Sequence, residues 1–188
     1  MALDDFDDQT LIRLAQDGNP QAFGALVKRT MQRAYFVALG LVGSHEDALD
    51  LSQEAFVRAY RAIKRFEQGR EFFTWFYQIL RNFCFNHLRN RKKQVYRFSD
   101  IPENEIIQLQ AEADLQPDVI FEKQEQSRQL WRAIQDLPEQ EKEVILLREF
   151  QNMSYQEIAI VLACPLGTVM SRLYYARKRL AQVLRDSV

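Results

Sequence analysis

The sequence predicts an all-α protein of two small helical domains joined by a flexible acidic linker. Three observations lead there. Apolar residues recur at three- and four-residue spacing in one segment after another. Only 6 Gly and 5 Pro occur in 188 residues, and most fall between those segments. Residues 96–120 lose the periodicity and hold Pro102 and Pro117. Their acidic run, Asp100 to Asp118, includes Glu103, Glu105, Glu112 and Asp114 and contains no Lys or Arg, a composition that reads as a tether. The expected domains are residues 1–95 and 125–188, with 96–124 between them.

The first domain reads as helices throughout. Gln9 to Ala15 begins the first, and Asp17-Gly18-Asn19-Pro20 ends it. A second is expected from about Pro20 to Leu41, before Gly43-Ser44 breaks the pattern. A third runs to about Phe66, with Ala48, Leu51, Ala55, Phe56, Ala59 and Ile63 spaced to face a core. After the loop at Gln68-Gly69-Arg70 a fourth extends from about Phe73 to Arg91. It is crowded with aromatics and basic at its end.

In the second domain Ser154-Tyr155-Gln156-Glu157 is a capping box opening a short helix through Ala163. Cys164-Pro165-Leu166-Gly167 is the expected turn, and a last helix runs from about Gly167 to Leu184. A capped short helix, a tight turn and a basic second helix outline a helix-turn-helix. On a helical wheel Val169, Leu173, Ala176, Leu180, Val183 and Leu184 face the core. Thr168, Ser171, Tyr174, Tyr175 and Lys178 face away from it, flanked by Arg172, Arg177 and Arg179. The hydroxyls and rings suit base edges, and the cations suit phosphates.

Net charge is −1, so total charge does not mark a nucleic-acid binder, but its distribution does. No acidic residue lies between Phe72 and Ser99, where Arg81, Arg89, Arg91, Lys92, Lys93 and Arg97 cluster. The C-terminal helix is basic again. Two basic zones around an acidic connector imply two nucleic-acid contacts on one chain. No Gly-rich phosphate loop, metal cluster or nucleophile signature appears, so neither an enzyme nor a cofactor, metal or small-molecule substrate is expected. Cys84 and Cys164 fit no metal or disulfide pattern and are expected as buried, reduced thiols. The acidic start Met1-Ala2-Leu3-Asp4-Asp5 lacks a signal-peptide layout, and the longest apolar run, Ala34 to Val42, is too short to span a bilayer. A cytoplasmic protein, not a membrane protein, is expected.

These residues carry a resemblance. Ser154-Tyr155-Gln156-Glu157-Ile158-Ala159, then Gly167-Thr168-Val169, Ser171-Arg172-Leu173 and Ala176-Arg177, resemble the promoter-binding domain of extracytoplasmic-function (ECF) sigma factors. Independently, Asp47 to Ala62 resembles that family's segment for binding core RNA polymerase, and Phe72 to Asn82 its segment for melting the −10 element. The resemblance covers nearly the whole chain, in order. It implies a region 2 helical bundle and a region 4 helix-turn-helix. The implied partners are core RNA polymerase, promoter DNA and an anti-sigma factor.

By the same resemblance Asp47, Asp50, Gln53, Glu54 and Arg58 dock on the polymerase. Trp75, Tyr77, Arg81, Asn82, Asn86 and Arg89 handle the −10 strand, where rings stack on bases and cations follow the backbone. The loop Glu67 to Glu71 falls where the family holds an extruded base. Thr168, Met170, Ser171, Arg172, Tyr174, Tyr175, Arg177 and Lys178 meet the −35 element. Many relatives carry basic residues where this chain has Met170 and Tyr175, so its −35 preference is expected to differ from theirs. The rival reading is a stand-alone helix-turn-helix regulator. It accounts for residues 121–188 but not for 44–91.

Overall fold

The computed structural model describes residues 3–95 and 129–185. The acidic segment at 96–124 lies outside these residues. The chain divides into two compact units. Among the described residues all regular structure is helical.

The first unit is built on four helices. α1 (Asp8–Gln16) starts because the Asp7 carboxylate accepts a hydrogen bond from the Thr10 backbone N–H at 2.9 Å, satisfying one of the open donors of the first turn. It ends at Asp17, before Gly18 takes a left-handed φ of +95°. Asn19 then accepts from the backbone of Gln21 and Ala22. Pro20 opens α2 (Pro20–Val42) at the position where a missing N–H costs nothing. α2 is buried over much of its surface and packs on both α1 and α4. Thr30 is buried in its middle without penalty, because its hydroxyl donates to the Leu26 carbonyl at 2.6 Å.

α3 (His45–Ala62) buries Ala48, Leu51, Ala55, Phe56 and Ala59, the expected stripe, together with Ser52. The helix stops four residues short of Phe66. A 3-10 turn, Ile63–Arg65, tightens the chain, and Phe66 turns to extended backbone while its ring stays buried. α4 (Phe72–Val95) is longer at both ends than its periodicity suggests. The Glu71 carboxylate caps it by accepting from the Thr74 N–H. Phe72, Phe73, Phe76, Tyr77, Leu80 and Cys84 make its buried stripe, each at most 1% exposed. Phe76 stacks on Phe56 of α3 with ring centroids 4.2 Å apart. Each such aromatic contributes roughly 1.5–3 kcal/mol of burial.

The second unit holds α5 (residues 129–135), α6 (Glu139–Ile145), α7 (Tyr155–Val161) and α8 (Leu166–Arg185). α6 widens into a π turn over Leu146–Phe150. The capping box at α7 is complete: Ser154 Oγ accepts from Glu157 N at 3.2 Å, and Glu157 Oε2 accepts from Ser154 N at 2.7 Å. The turn falls earlier than expected. Ala163 takes the left-handed conformation at φ +49°, so Leu166 and Gly167 already belong to α8. The reason is the end of α7: the residue after the Leu162 cap must reverse the backbone, a place usually given to glycine. The chain direction changes by 106° between α7 and α8, within the helix-turn-helix range. α8 packs on α6 and α7 and buries Val169, Leu173 and Ala176; Val183, expected on the same face, is 45% exposed because it lies near the end of the helix.

Candidate nucleic-acid interface

On α4, Trp75, Asn82, Asn86 and Arg89 fall within about 60° of arc at 100° per residue. The asparagines and Arg89 are exposed, and Arg89 donates to Asn86 Oδ1 at 3.0 Å. Trp75 is half-buried, its ring edge-on to Phe66 at 5.3 Å. Arg81 lies off this stripe with its guanidinium 4.6 Å from the Phe85 ring centroid. Tyr77 corrects the expectation. It lies on the opposite side of the helix at 1% exposure, 6.5 Å from the Phe73 ring, and cannot stack on a base. Its spacing from Phe73 and Leu80 assigns it to the core, and a wheel of α4 alone would have separated it from Trp75.

The loop between Phe66 and α4 is held by α1, which sequence reasoning missed. The Gln9 side-chain amide donates to the Arg70 carbonyl at 2.8 Å and accepts from the Gly69 N–H at 3.1 Å. Gln16 donates to the carbonyls of Ile63 and Phe66 at 3.0 and 2.9 Å, and its own oxygen accepts from Gln68 at 2.7 Å. Gly69 sits at φ +87°, a conformation that favours glycine. No local signal marks these glutamines, because their partners lie 47 to 61 residues away.

On α3, Asp50, Gln53, Glu54 and Arg58 are exposed and line an open depression with Val57, Arg61 and the α4 residue Phe83. Val57 is 50% exposed at the centre of the charged face. It was not picked out from the sequence, although the wheel puts it there. Asp47 departs from the expected set. Its Oδ2 stands 3.2 Å from His87 Nε2 and 3.6 Å from Arg91 Nη1, which ties the start of α3 to α4.

On α8, Met170, Tyr174 and Tyr175 are 53%, 62% and 54% exposed, with Ser171 and Lys178 also exposed and Thr168 partly so. The Ser171 hydroxyl donates to the Thr168 carbonyl at 3.0 Å. Two expected phosphate anchors are engaged within the unit. Arg177 donates to Glu149 Oε1 from Nε at 3.2 Å and Nη2 at 2.6 Å. That hydrogen bonding to Glu149 holds the guanidinium pKa above its ordinary value. Arg172 is half-buried with a guanidinium nitrogen 3.9 Å from Cys164 Sγ. Cys164, expected to be buried, is only partly covered, unlike Cys84, whose thiol pKa burial pushes up to about 12. Among the described residues there is no cluster able to hold a metal, and no single helix is long and apolar enough to cross a membrane.

Residues 26–94 match sigma-70 region 2, and residues 127–180 match sigma-70 region 4. The RNA polymerase sigma-H factor of Pseudomonas aeruginosa is 33% identical over 187 residues, covering 95% of this chain and 94% of that protein. The ECF RNA polymerase sigma-E factor of Escherichia coli K12 is 34% identical over 175 residues, 91% of each. Among solved structures, the sigma factor RpoE of Bartonella quintana, in complex with the anti-sigma factor NepR, superposes with a TM-score of 0.71. It is 26% identical and covers 87% of this chain and 96% of that one. Region 2 followed by region 4 defines the class, the sigma-70-type transcription initiation factors. Within that class the chain belongs to the ECF RNA polymerase sigma factor family.

Proposed function

We propose that the chain joins core RNA polymerase through the charged face of α3, opens the −10 element with α4, and reads the −35 element with α8. The carrying observation is that these three exposed faces lie on one chain. The α3 face, Asp50, Gln53, Glu54 and Arg58 around Val57, combines complementary charge with an apolar centre. The α4 stripe offers amides and a ring to unpaired bases. α8 sits second in a helix-turn-helix, the position that enters the major groove.

Residues 1–95 and 125–188 act as the two DNA-contacting units, with 96–124 as their tether. The factor works by binding alone and performs no catalysis. It acts in the cytoplasm, where polymerase and promoter are. An anti-sigma factor restrains it, a reading supported by the complex of the similar Bartonella sigma factor with NepR.

The test is run-off transcription with purified core enzyme and the chain's own upstream region as template. A transcript is expected only when both proteins are present, and Val57→Glu should abolish it without unfolding the protein. Tight protection of a palindromic operator without polymerase would overturn the reading in favour of a stand-alone regulator.

A further inference from the structure

We propose that Met170, Tyr174 and Tyr175 recognise the −35 element by apolar contact with thymine 5-methyl groups. The inference rests on the promoter-reading role of α8. The helix buries Val169, Leu173 and Ala176 at 0%, 1% and 0% exposure, so the opposite side must meet solvent or a partner. Ser171 and Lys178 lie near the centre of that side, with the two tyrosines on either side of them and Met170 at its edge.

Three large carbon surfaces, each more than half exposed, stand in the first turns of a helix whose corresponding residues touch base edges. The Tyr174 and Tyr175 rings hold each other edge to face at 5.3 Å, which orients both before DNA arrives. The charged alternative is poorly placed. Reading guanine through O6 and N7 takes a guanidinium or ammonium at the base edge. Arg172 lies against Cys164 and Arg177 is bound to Glu149. The Ser171 hydroxyl has already given its proton to the Thr168 carbonyl, which leaves its oxygen to accept rather than donate. What remains at the N-terminal end is a methyl-accepting surface, and thymine is the base that presents a methyl in the major groove. Lys178 and Arg185, exposed further along the helix, suit the phosphates that hold such a surface in register.

The experiment uses the holoenzyme reconstituted from core RNA polymerase and the full chain. Templates active in run-off transcription are selected from a library randomised across the −35 hexamer. Each thymine of the selected element is then replaced by deoxyuridine, one strand at a time, which removes only the methyl. At one or more positions initiation should slow roughly fourfold per methyl lost. Met170→Ala, Tyr174→Ala or Tyr175→Ala should erase that difference, each at its own position, while Tyr174→Phe and Tyr175→Phe keep it. Equal rates on thymine and uracil at every position would overturn the inference, as would discrimination that survives all three alanine variants. Failure of every thymine template to support polymerase-dependent transcription would instead overturn the initiation reading itself.

Discussion

Replacing Arg177 by alanine separates two roles open to a cation on α8, bracing the fold or binding phosphate. Its guanidinium meets one oxygen of Glu149 twice, at 3.2 and 2.6 Å, from the π turn at the end of α6. Both side chains are about half exposed, 49% and 46%, so solvent screens the pair and it contributes about 0.5–1 kcal/mol. In urea, at about 1 kcal/mol per molar for a unit of this size, the midpoint should fall by roughly 0.5–1 M. Trp131 can report this, since its ring lies 5.1 Å from that of Phe150, next to Glu149. A Trp75→Phe background leaves it as the sole tryptophan. Glu149→Ala should cost a similar amount, and the double variant should show coupling of about 0.5–1 kcal/mol. The second arm is the salt dependence of promoter binding by the holoenzyme, where each phosphate contact adds about 0.9 to the slope. Arg177→Ala should leave that slope unchanged. A slope lower by about one, with Glu149→Ala neutral in urea, would refute the brace and return Arg177 to the DNA.

Four further outcomes follow from the same geometry. Tyr77→Ala should destabilise the first unit by about 3–5 kcal/mol in thermal melts, because it empties a fully buried site. Asn82→Ala and Asn86→Ala should leave melting unchanged and reduce permanganate reactivity of the −10 thymines. A thiol reagent at neutral pH should modify Cys164 and spare Cys84 until urea is added, given the burial that raises the Cys84 pKa to about 12. The Asp7 cap should respond to acid. Hydrogen bonding from Thr10 lowers its pKa from the ordinary 3.8, so its stabilisation is present above that value and is lost as pH falls through the lower folded value. The melting difference between the native chain and Asp7→Ala should therefore shrink in that window.

The features legible in the sequence were those written in local spacing. Pro20 marked a helix start, the Ser154–Glu157 box marked another, and the alanine-rich stripe of α3 emerged with its predicted members buried. The turn before α8 was misplaced because Pro165 and Gly167 are the usual reversers, whereas Ala163 carries the left-handed backbone. Tyr77 was misread for a different reason. Aromatics that fill a core and aromatics that stack on bases share a composition, and only the angular position on α4 distinguishes them. The pairs Arg177–Glu149 and Gln9–Arg70 leave no local trace, since the partners meet only after the helices have packed.

The loop ahead of α4 shows what the long-range kind of contact makes possible. Gln9 and Gln16 grip main-chain atoms there, the Gly69 N–H and the carbonyls of Ile63, Phe66 and Arg70. Main-chain atoms are common to every residue, so the frame is indifferent to most of the side chains it displays. Glu67 and Arg70 can be exchanged while the loop keeps its path, provided Gly69 stays to hold its positive φ. The segment is thus an interchangeable display on a fixed mount, whose side chains can be swapped without redesigning the bundle beneath.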